Sequence, residues 1–175
     1  MLRTIRGALA ALLCTVLLLP GCAIGDATLA VPDEDRAVAA AERAYRDYVR
    51  FGSEFLASSD GDSSHLAAVV SPEILSSIRD AWQISRDRGI IVSGALRVVD
   101  VQIDSVQRVG EHWLVDLSVC LDYSAVVQID KDGNVMAKNV RDEAVRNEVT
   151  IRVSRVFGDA KLIGENDPGM SCEAA

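Results

Sequence analysis

The chain has 175 residues, 49% hydrophobic, 5% aromatic and 25% charged, with a formal charge of −8 from 18 basic and 26 acidic side chains. That length suits one domain and is too short for a multi-domain enzyme, while the apolar content excludes a disordered chain. The acid excess excludes a basic nucleic-acid binder, and four cysteines fall well below the density of a disulfide scaffold.

Residues 1–7 carry Arg3 and Arg6 and no acid, and residues 8–19 are an apolar run interrupted only by Thr15. Twelve residues of helix span about 18 Å, against roughly 30 Å of hydrocarbon core, so the pattern is a signal-peptide core and not a membrane span. The run ends in Leu19-Pro20-Gly21-Cys22, which resembles the lipobox of bacterial lipoproteins, with Pro20 departing from the usual small residue. The resemblance implies cleavage between Gly21 and Cys22 and a diacylglycerol thioether on Cys22. Two acyl chains would then hold the protein at the cell membrane, on its extracytoplasmic face. An ordinary secretory signal, cut near Ala23 or Gly25, is the alternative. The expected organisation is a signal peptide over 1–21, a lipidated tether over 22–32 and one domain over 33–175. Without its signal the chain has 175 − 21 = 154 residues, and loss of Arg3 and Arg6 leaves 16 basic against 26 acidic side chains, or −10. Anionic membrane surfaces repel such a domain, so the lipid does the anchoring.

Cysteine use follows from that address. Cys14 leaves with the signal and Cys22 takes the lipid. Cys120 and Cys172 remain in an oxidising compartment, where they are expected to pair; two free thiols are the alternative. The loop they close has 53 residues counted inclusively, for which loop-closure entropy gives about 4 kcal/mol.

Pro32-Asp33 opens the first helix, with Asp33 as N-cap. Through residues 34–57, Ala37, Ala41, Ala44, Tyr48, Phe51 and Phe55 recur in steps of three and four, with Val38, Tyr45, Val49 and Leu56 widening that face. Glu42–Arg46, Arg43–Asp47 and Arg50–Glu54 stand at i,i+4 on the polar side. Residues 58–64 read as a loop and 65–70 as a helical turn. Ser71-Pro72-Glu73 is a helix start, carrying a hydroxyl cap, Pro at the first turn and an acid at the positive end. That helix runs to about Arg88 and stops at Gly89. The period then falls to two. Val101, Ile103, Ser105 and Gln107 alternate with Asp100, Gln102 and Asp104, and Trp113, Val115, Leu117, Val119 and Leu121 with Asp116, Cys120 and Asp122. Asp132-Gly133 reads as a type I′ hairpin turn between residues 126–129 and 135–140. Val149, Ile151, Val153 and Arg155 alternate again. Residues 161–164 read as a last short strand, and Asn166-Asp167-Pro168-Gly169 as a turn leading to Cys172.

Helices followed by hairpin-joined strands make an α+β fold, with the N-terminal helices packed on a curved antiparallel sheet. This order of elements resembles the nuclear transport factor two-like fold, also known as the ketosteroid isomerase-like or cystatin-like cone. The stretches Val119-Cys120-Leu121-Asp122-Tyr123, Asp130-Lys131-Asp132-Gly133-Asn134 and Gly169-Met170-Ser171-Cys172 resemble actinobacterial lipoproteins of that group, over roughly residues 33–172. Ala160 stands where those relatives often carry Trp. The resemblance implies a pocket between helices and sheet, for which Tyr45, Tyr48, Trp82, Trp113 and Tyr123 are the candidate lining residues.

No catalytic constellation is legible. His65 and His112 have no Cys or His at ligand spacing, so no metal or cofactor is expected. Asp130-x-Asp132-Gly133 matches part of a calcium loop but has Gln128 and Asn139 where Asp and a bidentate Glu belong. Asp100, Asp104, Asp116 and Asp122 alternate with apolar residues and are expected to point away from the helix-covered face. The expected function is therefore a non-catalytic envelope module that binds a small ligand or a protein partner. The alternatives are an isomerase- or dehydratase-type enzyme, which requires a carboxylate or His in an apolar cavity near a Tyr, and a structural homodimer subunit joined through its sheet.

Overall fold

A computed structural model of the chain describes residues 34–138 and 144–172. The signal peptide, Cys22 and the tether lie outside the described residues, as does the N-cap at Asp33. No helix among the described residues is long and apolar enough to cross a membrane.

Among the described residues three helices come first: α1 (Glu34–Ala57), α2 (Ser64–Val69) and α3 (Pro72–Asp87). In α1 the buried face holds Ala37, Ala41, Ala44, Tyr45, Val49 and Phe55. The three alanines let the helix axis approach the sheet, and Tyr45 fills the space further along. Glu34 and Asp35 sit in the first turn, where the helix dipole favours acids. On its exposed side Arg50 pairs with Asp47 at 2.7 Å. The expected start of α3 is present: Ser71 is the N-cap and its Oγ accepts from the Ile74 N–H, with Pro72 in the first turn.

Seven antiparallel strands follow among the described residues: β1 (Ile90–Ser93), β2 (Arg97–Val109), β3 (His112–Asp122), β4 (Val127–Asp130), β5 (Val135–Lys138), β6 (Val145–Ser154) and β7 (Ala160–Ser171). The fold is α+β, with helices packed on antiparallel sheets. It has two sheets where one was expected: a four-stranded sheet in the order β2-β3-β6-β7 and a three-stranded sheet in the order β1-β4-β5. The second arises because Ile90-Ile91-Val92, directly after the α3 stop at Gly89, is itself a strand paired with β4. Val115, Leu117, Val119 and Leu121 of β3 and Val149, Ile151 and Val153 of β6 form one buried face. The helices supply Tyr45, Val49, Phe55, Leu66 and Leu75 against it, and Leu162 of β7 completes the core. A parallel bridge from Val70 to Leu162 fastens the α2–α3 connection to the sheet.

Three expectations about the strands need correction. In β2 the register slips between Val98 and Asp100 and again between Ile103 and Ser105. Each slip adds a residue and turns the following side chains to the other face. Val106 therefore joins the core, while Ser105, expected in phase with Val101 and Ile103, points outward and donates to Asp116 Oδ2 at 2.7 Å. The β4–β5 turn is centred one residue early. The Gly133 N–H bonds the Asp130 carbonyl at 3.0 Å, so Lys131 and Asp132 occupy the corner and Gly133 follows at φ 85°. This is a turn followed by a left-handed glycine, not a type I′ pair. Finally, β7 runs through the segment read as a turn. Arg146 faces Met170 but Glu148 faces Asn166, so residues 167–169 bulge out of a continuous strand. Gly169 at φ 72° and the Asp167 side chain, which accepts the Gly169 N–H at 2.8 Å, shape the bulge. The turn-forming residues are present, but the strand resumes beyond them.

Cys120 and Cys172 form a disulfide, 52 positions apart. It joins β3 to the chain just past β7, where the Cys172 N–H also bonds the Ala144 carbonyl at 2.9 Å. The sheet face opposite the core is polar: Asp116 accepts from both Ser105 and Thr150, and Ser118 donates to Asp104 at 2.7 Å. Those two strand acids point away from the helices, as expected.

Four acids are held ionised by local donors. The Ser124 N–H and side chain and then the Arg97 guanidinium bring Asp122 down to about 2, from an ordinary 3.8. Asp62 is lowered by Ser64, Glu73 by its own backbone N–H and then Ser71, and Asp130 by Asn134. A carboxyl depressed in the folded state stabilises fully above its unfolded value, and that contribution is lost as pH falls through the folded value. Urea midpoints should therefore hold steady down to about pH 4 and drop steeply towards pH 2. The Asp122→Asn variant should show a shallower drop over that interval; an unchanged slope would remove Asp122 from the account.

Candidate functional site

The walls of one pocket come from both sheets and α1. Its volume is about 370 Å³, within the range of small-molecule sites. Val49 and Leu56 of α1, Val92 of β1, Leu96, Leu121 of β3 and Val126 form its apolar walls. Its polar members are Tyr48, Ser53, Tyr123, Asn147, Glu165 and Asp167.

Two backbone features keep the pocket in shape. Gly94, between β1 and β2, has φ 93°, and a Cβ added there would run into the Ala125 carbonyl, so only glycine lets the two segments pass. Ser53 ties the same connection to α1: its Oγ donates to the Val49 carbonyl and accepts from the Leu96 N–H. Gly52 is the other notable glycine. It lies inside α1, faces the pocket, and has nothing within 4 Å of where its Cβ would be. A mid-helix glycine costs about 1 kcal/mol relative to alanine, and the space it leaves here is pocket.

The polar end is organised around Glu165. Tyr45 Oη and Asn147 Nδ2 donate to Glu165 Oε1 at 2.8 and 2.9 Å, and Tyr48 Oη donates to Oε2 at 2.8 Å. Tyr45 and Tyr48 lie one helical step apart on α1, with ring centroids 5.6 Å apart, so the helix presents both hydroxyls to one carboxylate. Burial first and the adjacent Glu165 charge second push both phenols well above the ordinary tyrosine range. They remain protonated donors at any working pH. Asn147 stands on the core face of β6, in the row Val145, Asn147, Val149, Ile151, Val153. Its Nδ2 is used by Glu165, and its Oδ1 is buried without a partner. Asp167 stands on the β7 bulge at the same end of the pocket.

Of the five aromatic candidates, Tyr48 and Tyr123 line this pocket. Tyr45 lies fully buried behind it and reaches it through Glu165. Trp82 packs elsewhere, against Phe55 and over the 58–61 loop near Gly61, with Arg86 stacked on its ring and donating to the Ser58 carbonyl. Trp113 packs against the core and is not a pocket wall. Glu165, Asn147 and Asp167 were missed. The signal for Asn147 was legible as the one polar residue in phase with four buried aliphatics. Glu165 falls between the short strand expected over 161–164 and the turn expected over 166–169, and the structure places it inside β7. Among the described residues no group of three or more His, Cys, Asp or Glu is placed to hold a metal ion. His65 packs beside the Phe51 ring at 5.0 Å, and His112 pairs across β2 and β6 at the far end of β3.

No protein-family model matches the chain, and no curated protein matches it in sequence. Solved structures do resemble it. The intermembrane-space region of the chloroplast protein ARC6 superposes with a TM-score of 0.54 at 17% identity, covering 78% of this chain and 98% of that one. A conserved protein from Planctomyces limnophilus gives 0.39 at 13% identity, covering 74% and 96%. A de novo β-sheet design gives 0.36 at 16% identity, covering 81% and 98%. At 17% identity the likeness to the ARC6 region shows the α+β fold alone.

Proposed function

We propose that this chain is a lipid-anchored envelope protein whose cone-like domain binds a small, mostly apolar ligand in the α1–sheet pocket and does not transform it. The pocket carries this reading: about 370 Å³, apolar walls from two sheets and a helix, and a small set of ordered polar groups at one end. The anchor at Cys22, the extracytoplasmic location and the likeness to nuclear transport factor two-like domains are part of the same proposal and rest on the sequence motifs. An isomerase- or dehydratase-type enzyme is favoured by one observation, a carboxylate beside two tyrosines in an apolar pocket. Against it stands the occupancy of that carboxylate. Three of its roughly four lone-pair directions already accept hydrogen bonds, which suits a fixed acceptor better than a base that must take up a proton.

The neutral fluorophore N-phenyl-1-naphthylamine tests the pocket. It should bind the soluble 33–175 fragment with a blue-shifted, enhanced emission. Gly52→Leu should abolish that signal by filling the space at the α1 wall. The same change should raise the unfolding free energy by about 0.5–1 kcal/mol, because a helix-interior glycine is replaced by a good helix former with room for its side chain. A Gly52→Leu protein that is folded and still binds the dye equally well would place the binding elsewhere.

A further inference from the structure

Leu121 and Asn147 place the pocket at one end of β3 and β6. At the opposite end the β2–β3 and β6–β7 hairpins stand side by side, because His112 faces Ser154. Arg155 ties the two together: its N–H bonds the Glu111 carbonyl at 2.9 Å and its Nη1 donates to the Gly110 carbonyl at 3.1 Å. The β6–β7 turn is itself ordered. The Phe157 N–H donates to Ser154 Oγ, the Gly158 N–H donates to the Ser154 carbonyl, and Gly158 takes φ 70°. A turn so fixed needs no large apolar side chain, yet it displays Phe157 at 81% exposure, the highest of any large apolar residue among the described ones. Val156 is 40% exposed beside it, and Val109 on the neighbouring hairpin 51%.

Charge at these turns differs from that of the molecule. Residues 108–112 and 152–161 carry four cations, Arg108, Arg152, Arg155 and Lys161, against Glu111 and Asp159, whereas the whole chain has a formal charge of −8. Arg155 lies beside Glu111, between the hairpins. Arg152 and Lys161 are direct cross-strand partners, and Arg152 stands on the exposed face of β6. Like charges placed so destabilise a sheet, and an anion between them relieves the repulsion. Lys161 uses one of its three donors on the Ala67 carbonyl, at 3.0 Å. With Phe157, the pair lines a hollow of about 340 Å³ beside the turn, on which Glu111 and Asp159 also stand. A strand advances about 3.3 Å per residue, so these cations sit roughly 10 Å behind the tip.

We propose that the paired hairpin tips are a membrane contact: Phe157 and Val156, with Val109, enter the interface of an anionic phospholipid bilayer, and Arg152 and Lys161 meet its phosphates. The apolar tip and the cations behind it match the two layers of that interface, acyl boundary and headgroups. Three apolar side chains on a convex tip cover on the order of a few hundred Å², short of the roughly 1,000 Å² of a stable protein interface. A second copy joined tip to tip would bring the same positive charge against itself. The domain as a whole is acidic and is repelled by such a bilayer, so the contact is weak and salt-sensitive. It orients a chain already held at the membrane, and in that respect it rests on the location proposed above.

The test is vesicle co-sedimentation of the chain from Ala23 on, which lacks the signal and the lipidated cysteine. The vesicles are phosphatidylcholine alone, or phosphatidylcholine with about one third phosphatidylglycerol. The protein should partition several-fold better into the anionic vesicles at low salt, and raising the salt should remove the difference. Phe157→Ser should lower the partition roughly ten-fold. Val135→Ser, at a site 64% exposed on the three-stranded sheet, should leave it unchanged. Arg152→Gln with Lys161→Gln should bring the anionic vesicles down to the level of phosphatidylcholine; the salt series gives the same information if that double variant does not fold. Equal partition into both vesicles, partition that Phe157→Ser does not change, or no partition at all would overturn the proposal. If the protein instead self-associates and Phe157→Ser abolishes it, the tip belongs to a second copy and the membrane contact is likewise overturned. The anchor stands or falls separately, on whether membrane-extracted protein carries the diacylglycerol mass on Cys22.

Discussion

Replacing Cys120 and Cys172 together by Ala is expected to lower the unfolding free energy by about 4 kcal/mol, from the lost restriction on the unfolded chain. The two residues are 52 positions apart, so the crosslink ties the unfolded chain over much of its strand-forming half. For a domain of this size, with a total stability of roughly 5–15 kcal/mol, that is a third or more of the margin in most of the range. The effect should appear in urea unfolding followed by Trp fluorescence, as a lower midpoint. Oxidised and double-variant proteins should differ, while the reduced form of the unmodified protein should approach the variant. A second consequence is local. The bond clamps the end of β7 just beyond the bulge that carries Asp167, and β7 is an edge strand bonded only to β6 within its sheet. Hydrogen exchange in residues 165–171 should therefore accelerate more than exchange in β3. A midpoint shift worth under 1 kcal/mol would mean that the reduced chain stays compact enough to close the loop on its own.

What could be read from the residues and what could not divides along a physical line. Helix positions were legible because α1 and α3 bury one face each, so their period is uninterrupted and their caps are chemical: Ser71-Pro72-Glu73 begins α3 and Gly89 ends it. β3 was legible because it is central, with alternate residues fully buried from Val115 to Leu121. The pairing of Cys120 with Cys172 followed from redox compartment and elimination, which do not depend on geometry. Among the strands that the alternation anticipates, β2 and β7 read least well, and both have bulges. In β2 two extra residues reset the phase that a strict alternation assumes, and in β7 the residues that make a turn elsewhere make a bulge. A bulge is specified by the neighbouring strand as much as by its own residues, because its cost is met by pairing that resumes on the far side. The site was lost for the same reason. Glu165 and Asp167 flank the point where local turn chemistry and long-range pairing give different answers. Asn147, whose own strand is regular, could have been found from its position in the aliphatic row of β6.

The energetics of the Glu165 cluster can be tested by a change of sign. Glu165→Leu removes the acceptor for three donors at once. Tyr48 is only partly buried and can turn to water, but Tyr45 is fully buried and Asn147 nearly so. Each of these two loses a charge-assisted bond and is left unsatisfied, at about 1–3 kcal/mol apiece, so the variant should be destabilised by about 3 kcal/mol in all. Tyr45→Phe in the unmodified protein removes one donor to an ionised acceptor and should cost about 1.5–3 kcal/mol. In the Glu165→Leu background the same change deletes a hydroxyl that has no partner, and it should instead restore about 1 kcal/mol. The double-mutant cycle then gives a coupling of at least 2 kcal/mol, large for two side chains 120 positions apart in sequence. If Tyr45→Phe costs the same in both backgrounds, water meets the needs of the hydroxyl and Glu165 is free to move. The fixed acceptor on which ligand orientation depends would then be lost from the account. If the sign reverses, the two tyrosines and Asn147 hold the carboxylate in place before any ligand arrives, and affinity is not spent on ordering it at the moment of binding.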